Sequence, residues 1–327
     1  MTSSRKFILF TLVVFVGIGV MSLLKKNQNH KMATNSIEER MLPKRVPVPE
    51  AKPKLEEKRD IDRGVGPIEN RADKIRGFFS KGIDKFPIVE TITYTSRVPW
   101  LKGRPAWIAD YASYFETSRH FIARSLNGNL DYETQRVSPG DKFNVFKKDK
   151  NVEFYLLVDL STCTLDFYYL DKDLDERVFV KSYQIGVGRD DPLSPSGSLT
   201  PIGKYKLGGK VAIYKPGIEH YYQNQKTHMI EVFGTRWLPF EEEIENCSDS
   251  AKGYGFHGVP CIYDKEGDIL IEAKDGVGGR NSDGCLRLKK DDIEELFAIV
   301  ITKPTIVEVV KDRSSVVYPM SVEKKLD

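Results

Sequence analysis

The chain has 327 residues, which is enough for two folded domains together with unstructured or membrane-associated segments. Its hydrophobic content of 40% and charged content of 30% are ordinary for a globular protein. The formal net charge is only +3, so the composition does not indicate a nucleic-acid partner.

Residues 1–26 form the first predicted element. Arg5 and Lys6 precede an uncharged apolar run from Phe7 to Leu24, which as a helix would extend about 27 Å. The run ends without the Ala-x-Ala pattern of a cleavage site, which favours an uncleaved membrane anchor over a cleaved signal peptide. The sequence therefore predicts an N-terminal transmembrane helix and a chain that is exported or anchored.

The next segment, residues 27–86, is polar, with mixed charges and several prolines. No apolar periodicity runs through it, so it cannot bury enough surface to offset the entropy of ordering. We interpret it as a flexible linker.

Residues 87–149 are predicted to form a small α+β domain. Its elements are a strand at Val89–Tyr94, a helix beginning near Pro105, a helix capped by Thr117 or Ser118 and closed at Gly128, and a strand at Phe143–Phe146. The order strand–helix–helix–strand, with Val137 to Val145 at its end, resembles a LysM domain. That resemblance implies binding to peptidoglycan glycan. The alternative is a small domain that only packs on its neighbour.

Residues 152–311 read as a mostly β domain. Runs of aromatic and branched residues predict strands at Glu153–Leu160, Leu165–Leu170 and Arg177–Ile185. Helical spacing of apolar residues appears between Lys290 and Ile301, followed by an alternating strand at Thr305–Val310. Residues 312–327 are left as a C-terminal tail.

A cysteine and a histidine in glycine-containing turns mark the candidate site of this domain. Cys285 follows Gly284 and precedes Arg287 by two residues, so that the guanidinium is expected to favour the nucleophilic thiolate. Gly284 permits unusual dihedrals, and the N–H groups of such a turn can form an oxyanion hole. His257 lies upstream, before Gly258, and can act as base and then acid in thiol acyl transfer.

Other chemistry has less support. No C-x-x-C or H-x-x-x-H spacing indicates a metal site, and no cofactor is predicted. Four cysteines are too few for a disulfide-built scaffold. Cys247 and Cys261 are either bridged or, as we prefer, free.

Together these residues resemble the motif of the YkuD-type L,D-transpeptidases of bacterial cell walls. The matching positions are His257, Gly258, Ser282, Gly284, Cys285 and Arg287, with supporting stretches at Leu199–Tyr205 and Trp237–Phe240. The resemblance implies a β-sandwich-like fold with one helix.

The resemblance also implies a role for each residue. Cys285 would attack a peptidoglycan stem peptide and release its terminal D-Ala, with His257 as base and acid. The Gly258 carbonyl would orient the imidazole, and the N–H groups of Gly284 and Cys285 would hold the oxyanion. Arg287 would stabilise the loop or bind a substrate carboxylate.

Two features depart from the family pattern. Asp283 stands where a histidine is common, and Cys261 to Val277 predicts an inserted hairpin. Like Arg287, Ser282 and Asp283 are expected to bind substrate or to stabilise the loop.

The resemblance leaves three functions open: an L,D-transpeptidase in cell-wall synthesis and cell shape, an L,D-carboxypeptidase with water as acceptor, or a catalytically silent peptidoglycan-binding protein. The expected location is the cell envelope, anchored in the inner membrane with domains in the periplasm, or secreted if the N-terminal segment is cleaved.

Overall fold

The computed structural model describes residues 72–128, 135–263, 270–274 and 276–322. The predicted transmembrane helix lies outside these residues, as does most of the predicted linker. Within the described ranges, no helix is both long enough and apolar enough to cross a membrane.

The N-terminal part of the described chain is a small α+β unit. Its elements are α1 (Arg76–Phe79), β1 (Val89–Thr93), α2 (Ile108–Tyr114), α3 (Arg119–Asn127) and β2 (Lys142–Phe146). Strands β1 and β2 pair antiparallel, which confirms the predicted strand–helix–helix–strand order. Ser118 caps α3, since its Oγ accepts a hydrogen bond from the Phe121 N–H at 2.9 Å. Assignment of this unit to the LysM family stays a prediction.

The predicted linker ends earlier than residue 86. Phe78 of α1 is fully buried, and its ring stacks on that of Phe167 at 6.0 Å between centroids. Phe86 also packs on Phe78, with centroids 4.8 Å apart. Phe78 and Phe86 are thus part of the folded core, because their rings pack on Phe167 and Tyr169, which lie far away in the sequence.

The remaining strands and helices follow in chain order. They are β3 (Val152–Asp159), β4 (Thr164–Asp171), β5 (Glu176–Gln184), β6 (Val187–Gly188), β7 (Gly203–Leu207), β8 (Ala212–Ile213), β9 (Glu219–Tyr222), β10 (Gln225–His228), α4 (Ile230–Phe233), β11 (Arg236–Glu245), β12 (Gly255–Gly258), β13 (Cys261–Tyr263), β14 (Leu270–Glu272), β15 (Arg280–Ser282), β16 (Leu286–Leu288), α5 (Lys290–Val300), β17 (Thr305–Val310) and β18 (Ser321–Val322).

The main sheet has the strand order β16-β12-β11-β7-β17-β3-β4-β5-β18. Strands β3, β4 and β5 are consecutive antiparallel neighbours, whereas β17 returns parallel to β3. Helix α5 buries Ile293, Leu296 and Phe297 against this sheet, as its helical spacing predicts. The prediction of a mainly β domain with one long helix is therefore confirmed.

The two predicted domains share a hydrophobic core. Phe121 and Phe146 of the α+β unit belong to the same buried cluster as Phe154 of β3. The Ser118 hydroxyl donates to the carbonyl of Ala298 in α5 at 2.8 Å. The α+β unit therefore packs directly on the sheet domain.

The predicted C-terminal tail is also structured as far as residue 322. A 3-10 turn at Arg313–Ser315 is followed by β18, which pairs parallel with β5. The Arg313 guanidinium donates to Asp159 and to Asp166, each at 2.9 Å, and both carboxylates are almost completely buried. This ion triad attaches the segment to the sheet, a long-range pairing that a local sequence pattern cannot reveal.

Candidate active site

The pairing of two short strands brings Cys285 and His257 to the same region. Strand β12 lies parallel to β16, with His257 opposite Arg287 and Phe256 opposite Leu286. Cys285 precedes Leu286 directly, so it lies beside Gly255 at the start of β12. Neighbouring strands are about 4.8 Å apart, which places the thiol one strand away and two residues back from the imidazole.

The imidazole of His257 is held in one orientation. Its Nδ1 is 2.7 Å from the carbonyl oxygen of Gly258, and the side chain is only 3% exposed. A neutral ring that donates from Nδ1 to this carbonyl leaves Nε2 as the acceptor. The rings of Phe233 and Trp237 pack against it, at 5.3 and 6.1 Å. The geometry matches the orienting role expected for Gly258.

Burial shifts the pKa values of His257 and Cys285 in the directions that disfavour their charged forms, the imidazolium and the thiolate. Desolvation lowers the pKa of His257 to about 4, and the nearby Arg287 charge lowers it further. Desolvation likewise raises the pKa of Cys285 to about 12, although Arg287 acts in the opposite direction. Arg287 favours the thiolate as predicted, but burial outweighs it. At neutral pH the resting pair is a thiol and a neutral imidazole.

Ser282 shapes the turn that carries Cys285. Its hydroxyl donates to the Cys285 carbonyl at 2.6 Å and accepts from the Gly284 N–H at 3.1 Å. The Gly284 N–H is therefore already engaged, and the expectation that it holds an oxyanion is not supported. The Cys285 N–H keeps that role as a prediction.

Gly284 is required by the backbone and by its surroundings. Its φ is +117°, and a Cβ there would lie 2.6 Å from Cε1 of Tyr254 and 2.8 Å from the Leu199 oxygen. Any larger residue would displace the turn that carries Cys285.

Thr200 supports the same turn from the other side. Its hydroxyl donates to the Gly284 carbonyl at 2.9 Å and accepts from the Gly188 N–H at 2.8 Å, and the residue is fully buried. Sequence reasoning gave Thr200 no role in the site. The signal was its position in the Thr200-Pro201 turn, but its partner lies 84 residues away.

Arg287 and Asp283 face different partners. Arg287 Nη1 donates to Asn281 at 3.2 Å, whereas its buried Nε has no hydrogen-bond partner among the described residues. Asp283 is well exposed and forms an ion pair with Arg189, which is also exposed. Arg287 thus has donor capacity left for a ligand, while the Asp283 charge is partly neutralised.

Aromatic residues that the sequence analysis missed cover the histidine. The hairpin of β9 and β10 carries Tyr222, whose ring packs edge-on against Phe233 at 5.5 Å. Burial raises the pKa of the Tyr222 phenol, and the negative charge of the Cys285 thiolate raises it further. Tyr222 therefore lies close to the nucleophile.

The other thiols lie apart from the site. Cys163 and Cys261 are buried and Cys247 is partly exposed, and all are free. Strands β13 and β14 form the predicted hairpin after Cys261. Across the described parts of the chain, no group of three or more His, Cys, Asp or Glu side chains is arranged to hold a metal ion.

Comparison with solved structures gave several matches of low similarity, among them two proteins of known structure. Bd1075 of Bdellovibrio bacteriovorus is 17% identical, with 49% of this chain and 48% of that chain aligned and a TM-score of 0.33. The helical cell shape determining protein Pgp2 of Campylobacter jejuni is 18% identical, with 50% and 49% aligned and a TM-score of 0.32. The alignments thus span about half the length of each.

Comparison with curated proteins gave no match. A family model does match: YkuD, the L,D-transpeptidase catalytic domain, over residues 153–309. That range contains the Cys285 turn, His257 and the strands that position them. The match supports a YkuD-type L,D-transpeptidase catalytic domain at residues 153–309 and a function related to peptidoglycan.

Proposed function

We propose that the chain is an L,D-transpeptidase that modifies peptidoglycan stem peptides through an acyl-enzyme on Cys285. The observation that carries the proposal is a neutral His257, fixed by the Gly258 carbonyl and placed beside the Cys285 turn. An oriented neutral imidazole on the strand next to a cysteine turn is the arrangement that general-base activation of a thiol needs.

The shifted pKa values define how the first half-reaction runs. Because Cys285 rests as a thiol, its proton passes to His257 as the sulfur attacks the stem-peptide carbonyl. The C–S bond forms, the amide C–N bond breaks, and the imidazolium returns the proton to the leaving D-Ala amine. Burial makes the imidazolium costly, which favours this return.

The contacts of Arg287 support a role for its guanidinium in substrate binding. Its Nε is buried without a partner in the described chain, and a guanidinium binds carboxylates through several N–H groups. A stem-peptide carboxylate would satisfy that donor.

In the second half-reaction an amine takes the acyl group from Cys285. The aromatic cover over His257 supports an amine rather than water as acceptor, because it limits access of bulk solvent to the base. With water as acceptor the same site would be an L,D-carboxypeptidase.

The remaining parts of the chain support attachment to the cell envelope. We propose that the apolar segment at 7–24 anchors the chain in the inner membrane and that the α+β unit at 87–149 binds glycan in the periplasm. The support for the first is its length and lack of charge, and for the second the order of its strands and helices.

Intact-mass spectrometry of the full chain with a carbapenem tests the nucleophile. We expect one adduct, which disappears in Cys285→Ser and persists in the control variant Cys261→Ser, which removes a buried thiol away from the site. An adduct that survives Cys285→Ser would overturn the assignment. Disaccharide-tetrapeptide substrates then distinguish the two acceptors, since cross-linked products indicate transfer to an amine and free tripeptides indicate hydrolysis.

A further inference from the structure

A cavity of about 380 Å³ lies in the sheet domain, and neither Cys285 nor His257 lines it. Its walls come from the segment after β8, from α4, from the β13–β14 hairpin and from the first turns of α5. His120 of α3 adds a side chain from the α+β unit. The volume is in the range of pockets that hold a small ligand, and an occupant would contact both parts of the folded chain.

The wall of the cavity presents a buried hydroxyl. Thr235 lines the cavity and is 7% exposed, and its Oγ1 has no hydrogen-bond partner in the part of the chain that the structure describes. A hydroxyl can donate one hydrogen bond and accept two. Leaving it buried and unpaired costs free energy, so a ligand with a hydroxyl or amide group would gain by bonding to it.

The formal charges around the cavity cancel. Its lining has three basic and three acidic side chains, namely Lys215, Arg236, Lys290, Glu272, Asp291 and Glu294. Arg236 and Glu294 lie 3.5 Å apart and are both almost completely buried, and Glu272 accepts the backbone N–H of Lys290 at 2.6 Å. A charged ligand of either sign would lose hydration and lie against like charges, whereas an uncharged ligand avoids both costs. Hydroxyl groups on an uncharged ligand can still donate to the carboxylates and accept from the basic groups.

The cavity also has an apolar and an aromatic side. Ile213, Ile230 and Leu270 contribute apolar surface. Tyr214 lines the cavity as well, and one face of its ring is stacked on Phe233, with the centroids 5.8 Å apart and the planes at 26°. The opposite face of the Tyr214 ring is therefore the one that a ligand can contact. An aromatic face packs well against the C–H groups of a saturated ring.

We propose that this cavity binds an uncharged sugar ring. A hexose has a C–H face to pack on Tyr214 and hydroxyl groups that bond to Thr235 and to the charged side chains. It carries no net charge, in keeping with the lining. The sugar is either a plain hexose or an N-acetylated residue of a glycan strand. The site is separate from the Cys285 turn, so the proposal does not depend on the function proposed above.

Saturation-transfer NMR of the full chain with four sugar probes tests the ligand class. The neutral probes are glucose and N-acetylglucosamine, and their charged analogues are glucosamine, a cation, and glucuronate, an anion. We expect the neutral probes to bind at least about fivefold more tightly than the charged ones. Tighter binding of N-acetylglucosamine than of glucose would identify a glycan-strand sugar, and equal binding a plain hexose. No binding, or tighter binding of a charged probe, overturns the proposal.

Variants of the full chain test where the sugar binds. Thr235→Val should weaken binding of the neutral probes about fivefold without lowering the unfolding temperature, since the lost hydroxyl has no partner in the described chain. Tyr214→Ala should also weaken binding, whereas Tyr221→Ala, at a 67% exposed tyrosine outside the cavity lining, should not. Trp107→Ala reports on a sugar bound at the α+β unit instead. Loss of binding in Trp107→Ala together with full binding in Thr235→Val overturns the proposal.

Discussion

Replacing Thr200 with valine should separate the geometry of the nucleophile turn from the chemistry of the nucleophile. The two side chains have nearly the same shape, but valine removes the hydroxyl that links the Gly284 carbonyl to the Gly188 N–H. Both groups are buried, and each unpaired group costs about 1–3 kcal/mol, so the free energy of unfolding should fall by about 2–6 kcal/mol. The Gly284 peptide would also lose its fixed orientation.

The consequence for activity follows from that orientation. Cys285 and its N–H come directly after Gly284, and small displacements of a reacting group slow a reaction strongly. Carbapenem acylation, followed by intact-mass spectrometry under conditions where the variant is folded, should slow by about tenfold or more. Thr200→Ser keeps the hydroxyl and should restore the rate.

Thr305→Val is the matched control. Thr305 is also buried, and its single hydroxyl proton is within hydrogen-bond distance of the carbonyl oxygens of Val300 and Lys303, away from the Cys285 turn. It should lower stability in urea unfolding without slowing acylation. If Thr200→Val loses stability but acylates at the wild-type rate, Thr200 does not position the nucleophile.

Three further outcomes follow from burial and charge. His257 has a depressed pKa, so the unfolded chain takes up its proton first as pH falls below about 6.5, and native stability declines down to about pH 4. Urea unfolding should show a loss of about 2 kcal/mol between pH 6.5 and 5 that His257→Gln lacks. Asp283→Asn should speed acylation near neutral pH by less than about tenfold, because Arg189 already offsets the charge of this exposed carboxylate. The measurement is the acylation rate as a function of pH. A loss of activity at every pH would show that Asp283 binds substrate instead. Trp107→Ala, at a 67% exposed indole of the α+β unit, should weaken retention on purified peptidoglycan several-fold; full retention, as expected for the control Leu174→Ala, would argue against that surface.

Features encoded by neighbouring residues could be predicted from the sequence. Helix α3 begins at the Ser118 cap and ends at Gly128, because both signals act within one turn of the helix. Helix α5 and the strands β3 to β5 follow from apolar spacing in the same way. Cys285 and His257 were recognised because each lies in a short glycine-containing motif.

Features that depend on distant contacts could not be predicted. The sequence around Phe78 gives no sign of a folded element, because its core partners Phe167 and Phe154 lie far along the chain. Thr200 gains its role only through a turn 84 residues away. Arg287 lowers the pKa of the Cys285 thiol as the sequence predicts, whereas the burial that raises this pKa is not visible in the sequence.

The ion triad of Arg313 places the C-terminal boundary of the folded domain beyond the last residue that the family model matches. The family match ends at residue 309, four positions before the guanidinium that joins Asp159 and Asp166. A protein trimmed at 309 would lose the guanidinium that pairs with these two buried carboxylates, and removing one partner of a buried ion pair typically costs about 3–5 kcal/mol. It would also expose the apolar ring of Tyr168, which Tyr318 covers at 5.9 Å. Any excised or grafted version of this domain should therefore extend to at least residue 322.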